Sequence, residues 1–391
     1  MRGVRRLICG ALFLLSIAAM RTMCVQAAGE AAEDPLPGYT LEDFDASEIQ
    51  AYLDRLSREG YSRISFKELM GRLMGGELDV VFGEMAELAF EGLFREIRTN
   101  AGLMGQIVIL ALTGAVFSSF SGVFGSGHVS ETGFYVVYLL LMTFLAASFF
   151  ASVRVADEVA KGLLEFMQAL LPAYFLAVTM AGGGLTSAGV CGFTFAAIGL
   201  VQTIFTGVLI PLMRVYMMLV LAGHLHKEDM VSKFTELLRQ GILWTVKTLF
   251  GVIIGFHLIQ GMILPQADAL KNASVMRVAQ MIPGVGAGAG AVSQLVMGSG
   301  ILIKNTAGAA AMVILFLLAA MPMLKLLLLT ALYYMAAAVM QPVCDKRLVS
   351  CVSEVAAGNG MLLKLVACSL TLFMTTVAIL CISTNAAWYA G

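Results

Sequence analysis

Charge is scarce in this chain of 391 residues. Asp, Glu, Lys and Arg make up 13% of it, where a soluble domain carries about 25%, and hydrophobic residues make up 59%. That balance excludes an ordinary soluble globular domain. The net charge is −1, with no run of Lys or Arg, so nothing points to nucleic acid. Seven cysteines include no Cys-x-x-Cys pair, and neither a disulfide framework nor a zinc site is indicated. There is no His-Glu-x-x-His, no nucleophile elbow and no carboxylate pair at a glycosidase spacing, so enzyme chemistry has no visible seat and no cofactor is expected. The glycine runs lack a preceding strand, a Gly-Lys-Ser/Thr ending and an acidic ribose partner, which removes a nucleotide loop.

What the chain has is apolar length. Its mean hydropathy is +0.87, and the expected fold is an all-α polytopic membrane protein. Residues 1–28 read as a signal peptide: Arg2, Arg5 and Arg6, an apolar core Leu7–Ala19, and a small-residue site at Val25-Gln26-Ala27, with an uncleaved anchor as the alternative. Residues 29–100 form an acidic extracytoplasmic region, since positions 28–100 hold 16 Asp/Glu against 7 Lys/Arg. In it, Asp45 with Glu48 and Ser65 with Glu68 have capping-box spacing. Asp79–Ile97 is amphipathic, with Glu84, Glu87, Glu91 and Glu96 opposite its apolar face, and partner contact suits it better than anionic lipid. Residues 101–153 hold two spans, Leu103–Phe120 and Phe134–Val153.

Beyond residue 153 the sequence repeats. Pro172 and Pro283 are 111 positions apart, as are Pro211 and Pro322, and Arg214 and Lys325, although the chain has only 8 prolines. Downstream, Val231, Ser232, Thr235 and Glu236 align with Val349, Ser350, Ser353 and Glu354. The units are 154–264 and 265–385. Each contains an apolar stretch, Gly189–Leu225 or Ala307–Met340, too long for one perpendicular crossing; a bent or tilted helix and a short hairpin both remain open. Three crossings per copy make the copies inverted, and two or four make them parallel.

The candidate site follows from this symmetry. Gly182, Gly183 and Gly184 in the first copy, and Gly284, Gly286, Gly288 and Gly290 in the second, fall after the paired prolines Pro172 and Pro283. Glycine-broken segments at matching positions either line a substrate path or let helices pack closely, and both readings stay open. Arg214 and Lys325, deep in the long stretches and each three residues beyond Pro211 or Pro322, are the intramembrane cations with the strongest claim to function. No acidic residue lies in either long stretch, so the carboxylate of a proton-coupled transporter is missing.

The chain resembles the stage III sporulation protein AE family of endospore-forming bacteria. The resemblance runs from a signal and acidic helical region through Gly102–Gly105 and Ala169–Ala188 to its most specific elements, Ile303–Gly308 and Tyr334–Pro342. It implies a permease-like, multi-pass subunit of the transenvelope channel complex that joins mother cell and forespore. The subunit would reside in the mother-cell-derived membrane around the forespore and support forespore development. The partners implied are ring-forming intermembrane proteins, a secretion-type ATPase and a forespore protein. A stand-alone secondary transporter of a small solute and a purely structural platform are the alternatives.

Overall fold

A computed structural model describes residues 44–58, 64–75, 127–180, 185–223, 231–280 and 286–389, with scattered helical residues between 83 and 113. The expected signal peptide and most of the span Leu103–Phe120 lie outside the described residues. Two short helices, α1 (Ser47–Arg58) and α2 (Phe66–Met74), precede five long ones. The long helices are α3 (Gly127–Met180), the α4 (Leu185–Ile204) and α5 (Ile210–Gly223) rod, α6 (Ser232–Gln280), α7 (Gly286–Met340) and α8 (Lys346–Tyr389). All five contain a segment long and apolar enough to cross a membrane. The chain is an all-α multi-pass membrane protein, and no strand occurs among its described residues.

Both capping pairs act locally. Ser65 caps α2 by accepting the Glu68 N–H at 3.4 Å. Asp45 instead takes the Ser47 N–H at 3.1 Å and its hydroxyl at 2.6 Å, which holds the Asp45 carboxyl below its usual 3.8. The apolar sides of both helices are buried: Ile49, Tyr52 and Leu53 from α1, Phe66, Met70 and Leu73 from α2.

The expected separate units Phe134–Val153, Arg154–Gln168 and Ala169–Gly184 are one helix as far as Met180, so the unit boundary at 153/154 falls inside α3. No glycine or proline lies between 134 and 161 to stop it, and Pro172 is accommodated within the helix. Both long apolar stretches are single rods, which settles the choice between helix and hairpin. In the first, a π-helical turn, Phe205–Leu209, joins α4 to α5 just before Pro211, and Ile210 N–H bonds back to Phe205 O. Proline has no N–H for the carbonyl four residues back and its ring crowds it, and a π turn absorbs that mismatch. In the second, α7 carries Pro322 without such a turn.

The long helices alternate in direction. The Tyr138 hydroxyl donates to Leu221 O near one end of the α3/α5 pair. Phe193 stacks on Phe256 at 3.8 Å, far along both helices from the place where Gly223 of α5 meets Val231 just before α6, so α6 runs antiparallel to the α4–α5 rod. Ser148 bonds Tyr333 at one end of α3 and α7, while Tyr174 lies by Gly308 at the other, so these two helices are antiparallel. Gly358 meets Phe149, and Cys381 meets Tyr174, which makes α8 parallel to α3. The α4–α5 rod and α7 therefore run one way, and α6 and α8 the other. Segments aligned as two copies are parallel, with Thr235 and Ser353 at the same end of the bundle.

Helix α8 is the axis, packed on α3, α5, α6 and α7. Among the described residues it contributes no large exposed apolar side chain, whereas Val136, Leu140, Val215, Trp244, Leu327 and Val339 on its neighbours face outward. A helix apolar on every side belongs in the interior, and one apolar outer face per neighbour is what lipid requires.

Candidate functional site

Three long helices, α3, α7 and α8, meet along a seam that contains polar side chains at two levels. At one level α7 presents Lys304, Asn305 and Thr306, all buried. Thr306 returns its hydroxyl to Leu302 O at 2.9 Å. Gly308, one turn beyond Lys304, has no room for a side chain: a Cβ would overlap Cys381 Sγ and lie 3.5 Å from the Tyr174 ring. Tyr174 and Cys381 are bonded to each other at 2.9 Å, and Lys304 is within electrostatic reach of the thiol. The neighbouring Ala307, Ala309, Ala310 and Ala311 are all buried, the small-residue contact that lets membrane helices approach without a hydrophobic driving force between them.

At the second level, about 35 Å away along α8 at 1.5 Å per residue, Ser148 bonds Tyr333 across the α3/α7 contact. Ser152, buried one turn along α3, donates to Ser148 O at 3.3 Å. Thr330 on α7 donates to Leu326 O at 2.7 Å. From α8, Asn359 is fully buried here between Gly358 and Gly360. A Cβ at Gly358 would stand 2.9 Å from the Phe149 ring and overlap Met217; one at Gly360 would sit 3.7 Å from Thr330.

The residues singled out by symmetry fall elsewhere. Lys325 pairs with Glu96 at 2.9 Å, their side chains 37% and 23% exposed. One turn before each partner, Gly92 rests against Met321, so the acidic amphipathic segment packs in step along α7. The segment thus packs on a helix of its own chain. Arg214 lies on an exposed face of α5, Pro211 and Pro172 are exposed, and Pro322 is buried. Gly182, Gly183, Gly184, Gly284 and Pro283 lie outside the described residues; Gly286, Gly288 and Gly290 belong to the first turns of α7. None of the contacts described joins Arg214 to Lys325.

Sequence reasoning passed over Lys304 as an intramembrane cation, and Asn359 altogether. The signal for Lys304 was present, since Lys304-Asn305-Thr306 interrupts an apolar run and a charge there is costly unless it serves a purpose. Asn359 gives no such signal, because one amide between glycines reads as a turn.

A buried lysine in a multi-pass bundle, set in the Ile303–Gly308 segment, coincides with a match of residues 64–384 to the family model of stage III sporulation protein AE. The chain belongs to that family. Membership places it in stage III of sporulation, and both polar levels of the seam fall inside the matched region. No curated protein and no solved structure matches the chain.

Proposed function

We propose that this member of the family is the permease-like membrane subunit of a transenvelope channel complex linking mother cell and forespore, without enzyme chemistry of its own. Its partners would be ring-forming intermembrane proteins, a secretion-type ATPase and a forespore protein, with the chain in the mother-cell-derived membrane. One observation carries the reading: the family match covers a bundle whose interior, among apolar helices, holds a buried cation, an amide and several hydroxyls. Polar groups at membrane depth are expensive and mark pathways or partner sites.

Parallel orientation of the aligned segments removes the inverted two-fold on which a gate of alternating-access type would rest. It favours a second reading, a platform that holds the complex, and the Lys325–Glu96 pair, which fastens the acidic segment to α7, agrees with it. A stand-alone transporter would need a coupling carboxylate that neither long stretch provides.

Complementation separates the readings. In a strain lacking this chain, Lys304→Met is expected to assemble with the complex, by co-purification, yet leave forespores that fail to mature. Normal spore yield from Lys304→Met would overturn the permease reading. Loss of co-purification together with loss of spores would move the assignment to the platform.

A further inference from the structure

We propose that the seam between α3, α7 and α8 contains a hydrated, uncharged polar site centred on Asn359, suited to water and small neutral hydrogen-bonding solutes. The Asn359 side chain is fully buried, and among the described residues neither its Oδ1 nor its Nδ2 has a hydrogen-bond partner. A primary amide offers two donors and an acceptor oxygen with two lone pairs, and burying all of them unpaired is rarely tolerated. In this proposal water or a small solute supplies the missing partners.

Helix geometry says where the amide points. Successive residues on α8 turn by about 100°. Gly358 faces Met217 of α5 and Phe149 of α3, and Gly360 faces Thr330 of α7, so Asn359, between them in turn, falls on the side of α8 where Ser148 and Tyr333 bridge α3 and α7. Cys381, 22 residues further on, faces the same seam through Tyr174 and Gly308, which checks the direction independently. The hydroxyls of Ser152 and Thr330 donate to their own helices at 3.3 and 2.7 Å, leaving lone pairs as acceptors. Of the two flanking glycines, Gly358 leaves its side of α8 to Phe149 and Met217, and Gly360 leaves its side to Thr330.

Charge selects the ligand class. Glu354, on the preceding turn and a half of α8, is directed to Tyr216 of α5 instead, so the lining named here carries amide and hydroxyl groups only. An anion or a bare cation would find no counter-charge at this level. A neutral species that both donates and accepts would be matched.

The test uses the full-length chain in vesicles, with its native cysteines replaced by alanine and a single Asn359→Cys or Val366→Cys. Position 366 is two turns away on the same buried face of α8. Because thiolate forms only where water reaches, neutral 2-hydroxyethyl methanethiosulfonate is expected to modify position 359 roughly tenfold faster or more than position 366. Anionic 2-sulfonatoethyl methanethiosulfonate should show little of that preference. Equal, slow reaction at both positions overturns the site. A second measurement stands apart from labelling: Asn359→Leu in the native background. A dry, unpaired amide would gain stability on removal, so a rise in Tm overturns the proposal. The site rests on the chain spanning a bilayer and does not need the channel reading. Fast labelling at 359 with full spore yield from Asn359→Leu cells would keep the site and remove it from the channel's route.

Discussion

Gly308 and Cys381 show how tightly single residues are set in this bundle. A side chain at 308 has nowhere to go but into a thiol that is itself bonded to Tyr174. Overpacking of this kind costs about 1–3 kcal/mol. Gly308→Ala is therefore expected to lower Tm, and Cys381→Ala in the same chain to recover part of the loss. Strictly additive effects in that double-mutant cycle would show that the two positions do not touch. Asp45 provides a pH-dependent counterpart outside the bundle. Its carboxyl is held low by the Ser47 hydroxyl and N–H, so its support for α1 is present above 3.8 and is lost as pH falls through the lowered folded value. Pepsin should cut α1 faster in Asp45→Ala than in the parent at about pH 5, and the gap should narrow as the pH is lowered further. A difference that persists at the lower pH would assign the effect to something other than the carboxylate.

At the scale of elements, the acidic segment around Gly92 and Glu96 is docked on α7 by one ion pair and one close contact. A half-exposed pair of this sort contributes about 0.2–1 kcal/mol, enough to bias the docking of one short helix and too little to unfold the bundle. Charge reversal at either end, Glu96→Lys or Lys325→Glu, should increase proteolysis between 83 and 99 without changing the Tm of the whole. Restoring complementarity by making both changes together should bring protection back. If the double reversal is as susceptible as the single ones, the pair does not hold the segment. The same scale shows how differently proline acts in the two long rods. Pro211 follows a π turn and Pro322 does not, although both sit three residues before a cation. Sequence alignment could equate these positions; the backbone around them is not equivalent.

For the whole molecule, the alternation of directions makes a topological prediction. Cysteines at the aligned positions Thr235 and Ser353 should label from the same side of the membrane. Opposite-side labelling of 235 and 353 would restore an inverted arrangement and with it an alternating gate.

Composition determined that this chain belongs in a membrane, since 59% apolar residues with 13% charged residues exclude an ordinary soluble domain, and its long apolar runs determined that it is all-α, because each long helix can satisfy its backbone internally. The Ile303–Gly308 and Tyr334–Pro342 segments likewise carried the family. The site was less legible. Symmetry drew attention to Arg214 and Lys325, yet one faces outward and the other meets Glu96. Lys304 and Asn359 emerge only when α7 and α8 are laid against α3, since burial of a polar side chain is decided by which neighbours surround its helix face, and apolar sequence on every face does not record the order of packing. The relative direction of the aligned segments was hidden for the same reason: a crossing count needs to know where a helix ends, and α3 continues through the charged stretch 154–168, part of which α1 covers, with Tyr52 on Gly162 and Arg55 at 3.5 Å from Glu165.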